Sequence, residues 1–358
     1  MLPGILESNG AIMLKRAMII LSLLLMMTLC CAAAEDEGLV YVDVTDEVAQ
    51  LEDGFSAVLR EGDDYFADFL AQGGASSDME VVQFLAGHLL GANDLTMQID
   101  GFACSSLSVE KVGGGWLYGR NFDWNTCDAI VVVSRPEGAY ASISTVNMDF
   151  LGSVAGVLRW LPQSVYTLAA HYAPLDGMNE KGLCAAVLMI SDGRNINQRT
   201  DKPDITTTTA IRLLINQAAN VDEAIALLEQ YDMHASMGLM VHFAIADADG
   251  NSVVVEYVNN ETVVIQTPVV TNFYLAEGEL HGIGTQQSHT RYDMLTERLA
   301  GSPQMTKTEL RDAMDSVSKH HFGDHETTEW TMICDQTEGE VRYYHRENYD
   351  HGYVFSIR

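Results

Sequence analysis

Three consecutive glycines, Gly113, Gly114 and Gly115, separate two runs whose residues suit short paired strands. From 105 to 112, Leu107 and Val109 alternate with polar neighbours, the period-two pattern of a strand with one buried face. Residues 116–120 can return antiparallel across a tight turn, because glycine accepts the backbone angles such a turn demands. This hairpin brings Arg120 and Asp123 back to Cys104, which stands at the mouth of the first strand. A guanidinium near a thiol favours the thiolate, and the thiolate is the nucleophilic form. Taken alone, Cys104 reads as a small buried hydrophobe and the Arg/Asp pair as structural, since both are common. The downstream sequence gives the cysteine its weight.

The chain has 358 residues, enough for one large globular unit or two smaller ones, and 47% of them are hydrophobic. Its formal charge of −30 speaks against nucleic acid or an anionic membrane as partner, because phosphate binding needs a basic face. At the N-terminus, Lys15 and Arg16 precede the apolar run 17–29, and Ala32-Ala33-Ala34 then meets Glu35-Asp36-Glu37. That order reads as a signal peptide over residues 1–34, with Met13 as a possible start, and its apolar run is too short for a comfortable membrane span. Cys30 and Cys31 lack the residues of a lipid-attachment motif, so secretion is expected rather than a lipid anchor. Of six cysteines in all, Cys104, Cys127, Cys184 and Cys334 remain after cleavage, too few for a disulfide framework.

Residues 35–103 differ in texture. They are acidic, with Arg60 as the only Lys or Arg, and helical spacing is visible in Val48, Leu51, Phe55, Val58 and Leu59, then in Tyr65, Phe66, Phe69 and Leu70. Ser77-Asp-Met-Glu80 is a capping-box pattern opening a second helix. The stretch is expected to be a small helical pro-segment or small subunit. From Cys104 onward strands dominate: 129–134, 141–146, a buried run at 183–190, a meander at 240–271, and closing strands at 329–334, 341–345 and 353–357. Helices are expected at 206–231 with a break at Asn220-Val-Asp, at 289–299, and at 309–317 behind the capping box Thr306-Lys-Thr-Glu309. This order predicts an α+β fold with two antiparallel sheets packed face to face and helices outside.

Five ordered pieces stand out: Cys104-Ser-Ser, Gly119-Arg-Asn-Phe-Asp-Trp124, Asp176-Gly-Met-Asn-Glu-Lys-Gly-Leu183, Val270-Thr-Asn272 and His289-Thr-Arg-Tyr292. With His242 to Gly250 leading into Ser252 to Glu256, they resemble the choloylglycine hydrolase and penicillin V acylase family of N-terminal-nucleophile hydrolases. The long segment before the cysteine is similar to the acid ceramidase and N-acylethanolamine amidase branch. The resemblance, over 104–358, implies a four-layer αββα sandwich, hydrolysis of a non-peptide C–N amide bond, and self-cleavage between Ala103 and Cys104. Such a cut would free an α-amine with a reference pKa of about 7.7–8.0 against about 8.5 for the thiol. One residue then supplies nucleophile and base, with no metal or cofactor. By the same resemblance Arg120 stabilises the thiolate, Asp123 orients the new amine, Asn272 offers its side-chain N–H to the oxyanion, and Arg291 completes the charge network. Asp176 and Asn179 read as structural turn residues.

At Met189 the bile-salt hydrolases have Asn and the penicillin acylases Tyr, so catalysis is expected to stand while the substrate changes. A thioether suits an apolar acyl chain, although Met189 could equally fill the core. His320-His321 and Asp324-His325-Glu326 show no recognisable ligand spacing and read as an exposed polar loop, with no metal. The expected substrate is a small N-acyl amide cleaved through an acyl-thioester, and the pro-segment 35–103 is the expected partner. Alternatives are a bile-salt hydrolase, a penicillin V acylase, an acyl homoserine lactone acylase, a lipid amidase, or a non-enzymatic binding protein on the same scaffold.

Overall fold

The glycine hairpin forms as expected. Strands β3 (Ala103–Lys111) and β4 (Trp116–Trp124) pair antiparallel, with Cys104 opposite Phe122, Ser106 opposite Arg120 and Ala103 opposite Asp123. Gly113, Gly114 and Gly115 all take positive φ, and a Cβ on Gly115 would run into the Thr337 hydroxyl. Side chains alternate across this hairpin, so Cys104, Arg120 and Phe122 share one face while Ser105 and Asp123 share the other.

The computed structural model describes residues 38–89, 103–151, 163–323 and 326–357. The signal-peptide reading of residues 1–34 lies outside them. Two large sheets carry the hairpin and its counterpart. The first runs β15 (Gly352–Ser356), β14 (Glu340–His345), β13 (Thr327–Asp335), β4, β3 and β12 (Val269–Val270). The second runs β11 (Glu261–Gln266), β10 (Ser252–Val258), β9 (Val241–Ala246), β8 (Cys184–Met189), β7 (Asp176–Asn179), β6 (Ser142–Asn147), β5 (Ala129–Pro136), β2 (Phe55–Gly62) and β1 (Ala49–Glu52).

Helices α6 (Gln286–Gly301) and α7 (Lys307–Asp315) pack on the first sheet, and α3 (Gln163–His171), α4 (Thr207–Gln217) and α5 (Val221–Leu228) on the second. The result is a four-layer αββα sandwich. Its interior is apolar from both sides: Phe122 stacks on Trp330 with ring centroids 4.1 Å apart, and Phe55, Met178, Val187, Phe243 and Tyr343 are buried with them. The expected caps are present. Thr306 and Glu309 form a reciprocal capping box, and Asn220 caps α5 by accepting the Glu223 N–H.

The N-terminal segment departs from the expectation. Among the described residues of this segment, helices occur at α1 (Phe66–Ala71) and α2 (Asp78–Leu89), whereas the spacing at Val48, Leu51, Phe55, Val58 and Leu59 belongs to the strand pair β1 and β2. The missed signal is Asp53-Gly54, a strong hairpin dipeptide. Gly54 takes φ 78°, and a Cβ there would strike the Arg346 guanidinium. Strand β2 pairs parallel with β5 over its whole length, so the second sheet is not purely antiparallel. Alternating apolar residues over a two-residue turn mimic a helical stripe, and only the long-range pairing separates the two.

A buried polar cluster also ties this segment to the body. Asp64 accepts from His171 Nε2 at 2.8 Å and from Asn216 Nδ2 at 3.2 Å, and Tyr172 Oη donates to the Asp64 carbonyl at 2.9 Å. Burial, reinforced by the nearby Arg212 guanidinium, pulls the His171 pKa down to about 3. The ring is therefore neutral and the Asp64 contact is a hydrogen bond donated by Nε2–H. A histidine neutral in the fold but free to charge when unfolded (reference pKa about 6.5) stabilises the protein at neutral pH and loses that contribution as pH falls toward about 3. Between pH 7 and 5 this predicts a loss of about 2 kcal/mol that His171→Asn does not show, read as the difference in pH slope of urea-unfolding free energies. Equal slopes in the two proteins would refute the assignment.

Candidate active site

Cys104 lies at the start of β3 and is fully buried, its sulfur pointing into the space between the sheets, 3.8 Å from the Val187 carbonyl of β8. Each polar atom of this residue meets a different element. Its N–H donates to Asn272 Oδ1 at 2.8 Å, and its carbonyl accepts from Arg291 Nη1 at 2.6 Å. Asn272 follows β12, whose Val270 is paired with Ser106, so the sheet itself delivers the amide to the cysteine. Arg291 comes from the second turn of α6, where a surface charge would be the default, yet it is fully buried.

The Arg291 guanidinium is the hub of the outer face. Nη1 also donates to Ser105 Oγ at 2.6 Å and contacts Asp123 Oδ2 at 3.3 Å, while Nη2 donates to Asn272 Oδ1 at 2.7 Å. Asp123 is held from its other oxygen by the Thr328 hydroxyl at 2.8 Å. Burial raises the Asp123 carboxyl above its usual range, and Arg291 offsets part of that.

On the inner face Arg120 donates from Nη2 to the Val187 carbonyl at 3.2 Å, and its Nε lies 2.8 Å from Asp176 Oδ2. Burial works against its charge, but Cys104 and Asp176 raise the guanidinium pKa on balance, and a guanidinium does not deprotonate in proteins. Asp176 also accepts from Trp330 Nε1 at 2.9 Å.

The structure thus brings together Cys104, Arg120, Asp123, Asn272 and Arg291, as the sequence led one to expect. Ala103 continues β3 opposite Asp123. Met189 ends β8, half-buried, and its carbonyl accepts from Asn272 Nδ2 at 2.6 Å while its side chain packs against the core. One of the two Asn272 Nδ2 hydrogens is therefore engaged by the Met189 carbonyl. Asn179, the last residue of β7, holds the turn that follows: its Oδ1 accepts from the Lys181 and Leu183 N–H groups. Asp176 is not a turn residue. It lies within β7, fully buried, as the counter-ion of Arg120 across the two sheets. Nothing in its local sequence signals this, because the partner lies on the other sheet.

A second relay supports the Asn272 loop. His242 Nε2 donates to the Thr271 carbonyl at 2.6 Å and its Nδ1 lies 3.0 Å from Glu256 Oε1, while Glu256 accepts from the Leu275 and Ala276 N–H groups at 2.8 and 2.9 Å. His242 and Glu256 are fully buried. His320 and His321 lie on an exposed turn far along the chain from these groups, and Asp324 and His325 lie outside the described residues.

In this structure Cys104 stays a protonated thiol. Burial pushes the Cys104 thiol up to about 12, with Arg120 and Arg291 pulling it back and Asp123 opposing them. Two guanidiniums are not enough to ionise a sulfur that water cannot reach.

Residues 104–273 match the linear amide C-N hydrolases, choloylglycine hydrolase family. The match spans just under half of the chain, which is similar to this family over that stretch. Over 99 residues it is 27% identical to a penicillin V acylase from Pectobacterium atrosepticum, a match spanning 25% of this chain and 26% of that relative. The fold is similar to a cysteine-to-alanine mutant of the conjugated bile acid hydrolase from Clostridium perfringens, with a TM-score of 0.55 at 17% identity, covering 71% of this chain and 92% of that one. An arginine-to-leucine variant of the same hydrolase gives 0.53 at 16% identity, with the same coverages of 71% and 92%. At such identities the likeness is one of fold, and it agrees with the αββα sandwich seen here.

Replacing Arg291 by lysine keeps the charge but loses the fork that serves Cys104, Ser105, Asn272 and Asp123 together. Losing one or two charge-assisted bonds in a buried site predicts a fall of about 2–4 kcal/mol in unfolding free energy by chemical denaturation. Arg135→Lys, at an exposed pair 3.4 Å long, is the control and should change little. Similar effects at both positions would show that the fork is not what holds the site.

Proposed function

We propose that this protein hydrolyses the linear amide bond of a small N-acyl substrate, with Cys104 as nucleophile after the peptide bond between Ala103 and Cys104 has been cut. The observation that carries the reading is the convergence on Cys104 of Asn272 on its nitrogen, Arg291 on its carbonyl and Arg120 beside its sulfur. A merely structural cysteine has no need of two buried arginines.

Self-cleavage would begin with attack of the thiol sulfur on the Ala103 carbonyl carbon. The C–N bond to Cys104 breaks as its nitrogen takes the proton, and water then hydrolyses the thioester to leave the Ala103 carboxylate and a free thiol. In the mature protein the new α-amine takes the thiol proton, the sulfur attacks the substrate amide carbon, and the departing amine recovers a proton from the α-ammonium. Water then releases the acid from the thioester. Asp123, one strand across from Ala103, is suited to hold the new ammonium, and Arg120 to stabilise the thiolate. Asn272 would stabilise the oxyanion once its N–H leaves the Met189 carbonyl, a donor of the kind whose loss costs about 10²–10³ in rate.

An apolar acyl group suits the surroundings. Phe122, opposite Cys104, meets Phe150 at 6.0 Å between centroids, and Phe150 lines an apolar cleft with Val81, Leu85, Tyr172, Leu175 and Met237. Two of those walls belong to the N-terminal segment, which supports its retention as a small subunit after the cut. The charge pattern at Lys15 and Arg16 and the apolar run behind them support secretion.

Cys104→Ala is expected to remain one chain without amidase activity, and Cys104→Ser to process slowly and hydrolyse poorly, because a hydroxyl is the weaker nucleophile at neutral pH. N-terminal sequencing of active wild type should find a chain beginning Cys-Ser-Ser, and an active protein lacking that terminus would sink the mechanism. A screen of processed protein against N-acylethanolamines, conjugated bile salts, penicillin V and acyl homoserine lactones identifies the acyl class. Met189→Asn should lower activity on apolar acyl amides roughly ten- to hundredfold while leaving processing intact, since an unpartnered buried amide costs about 1–3 kcal/mol. An unchanged substrate profile would return Met189 to a packing role.

A further inference from the structure

The turn at His320 and His321 brings together three electron-pair donors that lack one another's protons. Asp315 ends α7, and its Oδ1 lies 3.7 Å from His320 Nε2 and 3.5 Å from His321 Nε2. Both separations are too long for a good hydrogen bond. They are close to the ~3.3 Å edge of a tetrahedron whose metal–ligand bonds are ~2.0–2.1 Å. The two rings lie with centroids 3.8 Å apart and their planes tilted by 41°, and the three side chains are 36–45% exposed, open to an ion from solvent.

The far side of His320 is already arranged. Its Nδ1 lies 2.9 Å from Glu347 Oε2, and Glu347 is fixed in turn by accepting the His320 N–H at 3.2 Å and the Thr328 N–H at 2.8 Å. A carboxylate behind Nδ1 keeps the proton there and turns the Nε2 lone pair outward, toward the Asp315 carboxylate. Such a carboxylate–histidine pair is the usual support of a metal-bound imidazole. Glu347 reaches this place through two successive left-handed residues, Arg346 at φ 46° and Glu347 at φ 61°, a conformation non-glycine residues seldom adopt. The neighbouring Lys319 ammonium does not compete, since it is paired with Glu326 at 2.8 Å and with Gln287.

We propose that Asp315, His320 and His321 bind one divalent transition-metal ion of the zinc class, with Glu347 as the carboxylate that orients His320 and with solvent completing the shell. Sequence spacing hides the site because the third ligand lies on the preceding helix, five residues upstream, and not among Asp324, His325 and Glu326. The site also borders the catalytic one. Thr328, whose N–H binds Glu347, donates its hydroxyl to Asp123, and that hydroxyl accepts the Lys319 N–H at 3.0 Å. An ion here would fasten the turn that holds Thr328 against Asp123.

The test is competition of Zn²⁺ against a chromophoric chelator, using untagged protein stripped with EDTA. Wild type should bind one equivalent that the double variant His320→Ala/His321→Ala loses, with affinity at that site falling at least about 100-fold. Because both rings are half exposed, the variant should fold, which circular dichroism checks. Glu347→Gln should weaken binding about 10- to 100-fold while keeping the stoichiometry. Absence of a stoichiometric ion in wild type, or the same number of equivalents in the double variant, overturns the site. Unchanged affinity in Glu347→Gln overturns the role given to that carboxylate.

Discussion

Two arginines and two carboxylates sealed from water hold this protein's centre, and most of its irregular features answer to them. Arg120 and Asp176 face each other across the sheets, while Arg291 meets Asp123 on the outer side of the hairpin. Removing one charge from such a group leaves its partner uncompensated at a cost of about 3–5 kcal/mol, so the four are mutually dependent. The pairs also settle geometry. The first fixes how the two sheets register against each other at Val187, and the second fixes α6 against the nucleophile strand. Trp330, Thr328 and Ser105 satisfy further hydrogen-bond positions of the cluster, while Arg120 Nη1, Arg291 Nε and Asp176 Oδ1 have no hydrogen-bond partner among the described residues.

The electrostatics of this centre are poised rather than active. Arg120 and Arg291 each pull the Cys104 pKa down, but burial outweighs them and the thiol stays protonated. The proposed cut before Cys104 would add an amine beside the sulfur and open the start of β3, and both changes would favour ionisation. The His242–Glu256 relay, meanwhile, holds the Asn272 loop from behind, so the amide can change partners without its backbone having to move.

How legible this was depends on the range of the interactions involved. The hairpin, the helix caps and the five ordered pieces are local, and Gly113 to Gly115, Thr306 and Asn220 announce them. Asp176 was misread because its role exists only across the sandwich, where no spacing reports it. The stretch from Val48 to Leu59 was misread for the opposite reason: its local pattern fits a helix and a hairpin alike, and Asp53-Gly54 should have tipped the choice. Arg291 sits on a polar helix that looks like any solvated face, and only its tie to Cys104 takes it inside. His320 and His321 were visible as residues, but their geometry needed the end of α7.

Strand β2 carries a consequence for the protein's history. As one polypeptide, the segment that contains it is tethered to the sheet it completes, at an effective concentration in the millimolar range for a short linker. A cut before Cys104 would abolish the tether while leaving the strand in its place between β1 and β5. Assembly would then have been unimolecular once, and every later refolding bimolecular. The mature protein would be a kinetically maintained object whose recovery from denaturant falls with dilution, carrying a memory of a covalent link it no longer has.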